Sequence, residues 1–161
     1  MAEAIFAAGC FWGVEQAFRD TSGVMETAVG YIGGNSKDPT YEEVCTGQTG
    51  HAEAVKVQYD PIEISFEALL NVFWSCHNPT EVDRQGPDVG TQYRSAIFYV
   101  DEDQRAAAET SKLALQSTGQ LKAAIATQIV SAEHFYMAED YHQQYFEKRG
   151  KRPHLFGPWG Q

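Results

Sequence analysis

Residues 4–8 of the chain, Ala-Ile-Phe-Ala-Ala, form a short unbroken apolar run and read as a strand. Gly9 interrupts it, and from residue 11 to 18 the spacing changes, with Val14, Ala17 and Phe18 recurring at helix intervals. Cys10 therefore falls at a strand-to-helix junction. Residues 26–31 read as a second strand ended by the turn Gly33-Gly34-Asn35, and residues 54–59 as a third, with Val55, Val57 and Tyr59 on one face before Asp60-Pro61 closes it. Ser65 is placed as an N-cap, and Phe66, Leu69, Leu70, Phe73 and Trp74 after it share one helix face. Residues 77–92, rich in Pro, Gly, Asn and Asp, carry no period and read as a long loop of the kind that holds function. Residues 96–100 read as a strand leading to a helix capped by Asp101, residues 123–130 as another strand, residues 137–146 as a short helix, and the chain from Gly150 as a Pro/Gly-containing tail. No repeat, low-complexity tract or linker divides residues 1–161, so one domain is expected. Helices interleaved with mixed strands predict an α+β fold, a two-layer α/β sandwich.

Composition narrows the function classes. A 161-residue chain with 43% hydrophobic content can bury one substantial core. Its 12 basic against 22 acidic side chains, net −10, with no basic run, argue against nucleic-acid binding. No stretch approaches the ~20 apolar residues of a membrane span, and the first residues lack the zones of a signal peptide, so a cytoplasmic location is expected. Three cysteines, Cys10, Cys45 and Cys76, stand at spacings that fit neither a disulfide framework nor a zinc site.

A cysteine is by default a small buried residue; the position of Cys10 changes that expectation. At a helix start it meets unsatisfied backbone N–H groups and the positive end of the dipole, which favour thiolate. At an ordinary pKa of ~8.5 about 3% is thiolate at pH 7, and a lowering of ~2 units would make thiolate dominant. Phe11 and Trp12 after it cannot both join the core easily, which leaves one of them to wall a site for a small apolar group. On the same reading Cys76 lies on the flank of its helix, about 90° from the apolar face.

Several ordered blocks together carry a specific resemblance. Gly9-Cys10-Phe11-Trp12-Gly13, Gly30-Tyr31-Ile32-Gly33-Gly34, Tyr41-Glu42-Glu43-Val44-Cys45-Thr46-Gly47, Gly50-His51-Ala52-Glu53, His77-Asn78-Pro79-Thr80, Gln85-Gly86, Gly90-Thr91-Gln92-Tyr93-Arg94-Ser95 and Ala138-Glu139-Asp140-Tyr141-His142-Gln143 run through most of the chain. In that order they resemble the A-type peptide methionine sulfoxide reductase family. The resemblance implies a mixed sheet with a ferredoxin-like core. It implies Cys10 as nucleophile, Glu53 as acid, Tyr41 and Tyr93 as hydroxyl donors to the sulfoxide oxygen, and Phe11 and Trp12 as the methyl pocket. Asp88 matches a further site residue, acting through water or on the reductant. The implied substrate is methionine S-sulfoxide in peptides and proteins or free, and the implied reductant is thioredoxin or glutaredoxin with glutathione. No metal or organic cofactor is expected, no nucleic acid or membrane partner, and the protein is expected to be a monomer.

The chemistry is coherent with those roles. Attack on the partially positive sulfoxide sulfur drives electrons onto an oxygen that must be stabilised and protonated. The product is a sulfenic acid on Cys10, which a second thiol must reduce. Glu53 can deliver a proton only if it keeps one; at pKa ~4.3 it is about 0.2% protonated at pH 7, a cost of roughly 3.7 kcal/mol that aromatic enclosure would reduce. Two other readings compete: a different thiol chemistry, such as acyl transfer or peroxide reduction with His51 or His77 assisting Cys10, and an inactive peptide-binding module. Many family members hold a resolving cysteine in a C-terminal tail, but residues 150–161 contain none. Cys45 is then the better internal candidate, and an external thiol the expected one.

Overall fold

The structure, a computed structural model, describes residues 1–150. The tail read from the sequence lies, from residue 151 on, outside the described residues. The order of elements is β1 (Ala2–Ala8), α1 (Phe11–Arg19), β2 (Val24–Ile32), α2 (Tyr41–Cys45), β3 (Ala52–Tyr59), α3 (Phe66–Ser75), β4 (Arg84–Gln85), β5 (Asp88–Val89), β6 (Ser95–Tyr99), α4 (Glu102–Ser117), β7 (Gln128–Ser131), β8 (Tyr136–Met137) and α5 (Tyr145–Arg149). A six-stranded sheet runs β7-β6-β1-β3-β2-β8, antiparallel except for the parallel β6–β7 pair. Its middle four strands, β6-β1-β3-β2, are connected as β1-α1-β2-β3-α3-β6, the split βαβ arrangement of a ferredoxin-like core.

Both faces of β1 are buried, which is why its sequence is an apolar run rather than an alternation. Ala4, Phe6 and Ala8 join the larger core with α1 and α3, while Ile5 and Ala7 face Ala54, Ala96 and Phe98 on the other side, under Phe135. The Phe6 ring lies 4.9 Å from Phe18 and 5.4 Å from Phe73, fastening β1 to both helices. Burying a side chain of this size contributes about 1.5–3 kcal/mol. The expected caps are present: Ser65 Oγ accepts from the Ala68 N–H at 3.0 Å, and Asp101 Oδ1 from the Gln104 N–H at 2.8 Å.

Four local expectations are corrected. Residues 123–130 yield only the short β7, because the preceding N–H groups are engaged elsewhere: Ile125 with Gln116 Oε1 and Ala126 with the Pro79 carbonyl. Residues 137–146 do not form a helix. Tyr136–Met137 pairs with β2, a 3-10 turn follows at Asp140–His142, and Gln144 takes a left-handed φ of 49° before α5 starts. The loop 77–92 contains a two-stranded hairpin, β4 with β5. Cys76 is buried at the end of α3, its thiol donating to the Phe73 carbonyl at 3.4 Å.

Candidate active site

The end of β1 and the start of α1 position Cys10 as the N-cap of α1, where the Trp12 and Gly13 N–H groups lower its pKa without a side-chain capping bond. Gly9 reaches this turn with φ +98°, and a Cβ there would stand 2.8 Å from the Gln85 side chain. Gln85 is itself fixed, accepting from the Asn78 N–H and donating to the Asn78 carbonyl, both at 2.9 Å. The β4–β5 hairpin therefore seats against the cysteine turn, and it carries Asp88.

Glu53 comes from β3, opposite Tyr31 of β2 and on the same face as Val55 and Val57. Its Oε1 accepts from the Phe11 N–H at 3.1 Å, the amide that immediately follows Cys10. Its Oε2 is buried and has no hydrogen-bond partner among the described residues. With 1% of its surface exposed, Glu53 is pushed up to about 8, chiefly by burial; the Phe11 amide opposes this and the Asp88 charge adds to it. Such a carboxyl holds its proton at neutral pH.

The thiolate expected at Cys10 is overturned. Burial first, then the charges of Glu53 and Asp88, push its thiol up to about 12 against the two backbone N–H groups. The helix end lowers the pKa as expected, but desolvation outweighs it. The Glu53 contribution exists only while that carboxyl is ionised, so the resting site holds a neutral acid beside a neutral thiol.

Tyr41, first residue of α2, and Tyr93, in the 3-10 turn Thr91–Tyr93, complete the cluster. Burial and the Glu53 charge push both phenols upward, so both remain donors. Burial also raises Asp88. Phe11 is almost fully buried between Tyr31, Tyr41 and His142, whereas Trp12 is half-buried, stacked on Tyr145 at 3.8 Å. Of the adjacent aromatics, Phe11 joins the core and Trp12 is the accessible one. Exposed Cys45 lies close by, beside the Tyr41 hydroxyl.

The histidines proposed as bases are committed elsewhere. His51 accepts from the Gly34 N–H at 3.0 Å and donates to the Ser36 carbonyl at 2.8 Å. Buried His77 bonds the Phe73 carbonyl and Ser95 Oγ, both at 2.7 Å, and burial lowers it to about 4. Neither ring has a nitrogen left for Cys10.

Reasoning from sequence missed the residues that brace this cluster. Glu139 accepts from the Tyr31 hydroxyl at 2.8 Å and from the Tyr41 N–H at 2.9 Å. Burial alone would raise this carboxyl, but those donors hold it below its usual range. His142 Nδ1 accepts from the Trp12 indole N–H at 2.9 Å. Gln143 bonds both the N–H and the carbonyl of Val29 at 2.9 Å. No period marks them; the adjacent order Ala138-Glu139-Asp140-Tyr141-His142-Gln143 was the available signal.

A family model described as peptide methionine sulfoxide reductase matches residues 2–156. The chain is 60% identical over 154 residues to the peptide methionine sulfoxide reductase MsrA of Methanosarcina mazei, covering 96% of this chain and 73% of that protein. It is 62% identical to the MsrA of Methanosarcina acetivorans over 92% of this chain and 79% of that protein. Among solved structures it is similar to reduced Mxr1 of Saccharomyces cerevisiae, with TM-score 0.89 and 34% identity over 99% of this chain and 91% of that one. It is also similar to methionine sulfoxide reductase A of Corynebacterium diphtheriae, with TM-score 0.81 and 40% identity over 94% and 77% of the two chains.

Proposed function

The chain belongs to the peptide methionine sulfoxide reductase A family, and from that premise we propose that Cys10, Glu53, Tyr41 and Tyr93 return methionine S-sulfoxide to methionine. The observation that carries the assignment of roles is the buried Glu53 carboxyl, at about 8, with a free Oε2 next to the Cys10 turn. A methyl sulfoxide entering beside Trp12 sets its oxygen toward Glu53 and the two phenols. Cys10 sulfur attacks the sulfoxide sulfur while Glu53 protonates the oxygen and the phenols bear its developing charge. The hydroxyl passes to Cys10 as methionine leaves, and the thiol proton refills Glu53; methionine sulfoxide and thiol become methionine and sulfenic acid.

The high resting pKa of Cys10 favours this order of events. A neutral thiol beside a neutral acid holds both protons until a substrate is present. Asp88 supports the cluster electrostatically from the hairpin. Phe11 and Trp12 supply the apolar wall.

Residues 1–161 act as a single catalytic domain, monomeric and cytoplasmic, repairing oxidised proteins with thioredoxin, or glutaredoxin with glutathione, as the outside thiol. Among the described residues no helix is long and apolar enough to cross a membrane. Chiral chromatography of racemic methionine sulfoxide after incubation with enzyme and dithiothreitol tests the reading. Loss of the S epimer alone is the expected result; loss of both, or of neither, defeats it.

A further inference from the structure

All three methionines of the chain are exposed: Met1 by 76%, Met25 by 56% and Met137 by 61%. Methionine ordinarily fills gaps in cores, yet this core is assembled from Ala, Val, Ile, Leu and aromatic residues without one. Met25 is the extra residue of a bulge in β2: Val24 pairs with Tyr59 and Glu26 with Gln58, leaving Met25 without a register partner. Met137 sits on the two-residue edge strand β8. Both thioethers project from places where little backbone must move for another molecule to reach them.

We propose that Met25 and Met137 are substrates of this protein's own chemistry: oxidised at the surface by peroxide, they are returned to methionine by the Cys10 site of a second copy of the chain. The proposal rests on the sulfoxide reductase reading above.

Neither residue can use its own site. Met25 precedes Tyr31, which lies opposite Glu53, by six residues of strand, about 20 Å at ~3.3 Å each. Met137 pairs with Gly30, so its side chain stands on the sheet face opposite that of Tyr31 and Glu53. The cycle balances. A thioether and hydrogen peroxide give sulfoxide and water; sulfoxide and the Cys10 thiol give thioether and sulfenic acid; sulfenic acid and two outside thiols give the Cys10 thiol, a disulfide and water. The net reaction is the reduction of one peroxide by two thiols. Burial raises all three cysteine thiols, so thiolate to compete for oxidant is scarce, whereas a thioether has no proton to lose.

The test uses isotopically labelled Cys10→Ser protein, treated with limiting hydrogen peroxide, freed of peroxide and mixed with unoxidised parent enzyme and dithiothreitol. Mass spectrometry reads sulfoxide on the peptides containing Met25 and Met137, and N-acetylmethionine sulfoxide in the same mixture reports the underlying activity. We expect sulfoxide at both positions to fall by roughly half, the share of the S epimer, at a rate proportional to parent enzyme. Consumption of the small sulfoxide with both positions unchanged overturns the proposal and leaves the reductase reading standing; persistence of the small sulfoxide as well overturns both. Dilution of peroxide-treated parent protein in dithiothreitol needs no variant. A fractional repair rate that falls with dilution supports repair between copies, and one independent of concentration overturns it.

Discussion

Cys10 and Glu53 define opposite faults in reading chemistry from residue type. The helix end around Cys10 was legible from Gly9-Cys10-Phe11 and correctly implied a lowering by backbone N–H groups, but burial, which sequence does not display locally, reversed the net direction of the shift. For Glu53 the direction followed from its aromatic surroundings, and its free oxygen did not. Cys10→Ser should fold yet lose turnover entirely, since a hydroxyl cannot accept oxygen as a sulfenic acid does; any sulfoxide consumption by the folded variant refutes the assignment. Glu53→Gln should keep the bond from the Phe11 amide and slow single-turnover reduction by about a hundredfold or more, with substrate affinity little changed. In the parent the rate should fall as pH rises through about 8, where Glu53 loses its proton, and pH–rate measurements read that limb directly. Stability carries the same sign. The folded carboxyl holds a proton that the unfolded chain releases above pH ~4.3, so stability declines as pH rises from there to about 8. Glu53→Gln removes that slope, and at pH 8 its melting temperature should exceed the parent's; a lower one would show that the carboxylate is accommodated ionised.

At the level of elements, the apolar run of β1 and the periodic β3 and α3 fell where their side-chain patterns put them. The helix expected at residues 137–146 is replaced by β8, a 3-10 turn and the start of α5. Tertiary bonds decide it: Gln143 occupies Val29, and Glu139 joins Tyr31 to Tyr41, partners 114 and 98–108 residues away that no local window contains. Gly34 shows the same kind of constraint, since a Cβ there would collide with the Thr49 carbonyl and the His51 amide. Glu139 is thus a positioning residue holding α2 against the sheet. Glu139→Ala leaves two donors without their acceptor and should cost about 1.5–3 kcal/mol in urea unfolding. It should also raise KM more than Glu139→Gln does, because the amide can still accept at least one of the two bonds. Equal KM values for both variants and the parent would show that Tyr41 keeps its place without the brace.

Across the whole molecule the remaining question is how oxidised Cys10 returns to thiol, and it depends on where the fold distributes its sulfur. A disulfide requires Cα atoms within ~7 Å and suitably directed side chains, which a mobile segment supplies more readily than a cysteine held in regular structure. Cys76 is 4% exposed at the end of α3, with its thiol bonded to Phe73, and is sealed in the helix-side core. Cys45 is exposed and near the cluster, but it ends α2, the helix that begins with Tyr41 and whose start is fixed by a capping box from Thr40 and Glu43. Using it would draw Tyr41 from its place. An outside thiol meets none of these restraints: Cys10 itself is partly exposed, and attack there needs no rearrangement of the sheet or of α2. Reduced enzyme given one equivalent of methionine sulfoxide without added thiol should therefore stop at a Cys10 sulfenic acid, with Cys45 and Cys76 still free. Dimedone trapping followed by peptide mapping under non-reducing conditions reads both. Cys45→Ser and Cys76→Ser should each sustain steady turnover with thioredoxin or with glutathione and glutaredoxin at rates within about twofold of the parent. A stoichiometric disulfide from Cys10 to either residue, coupled to loss of turnover in the matching serine variant, would replace the one-cysteine cycle with an internal one.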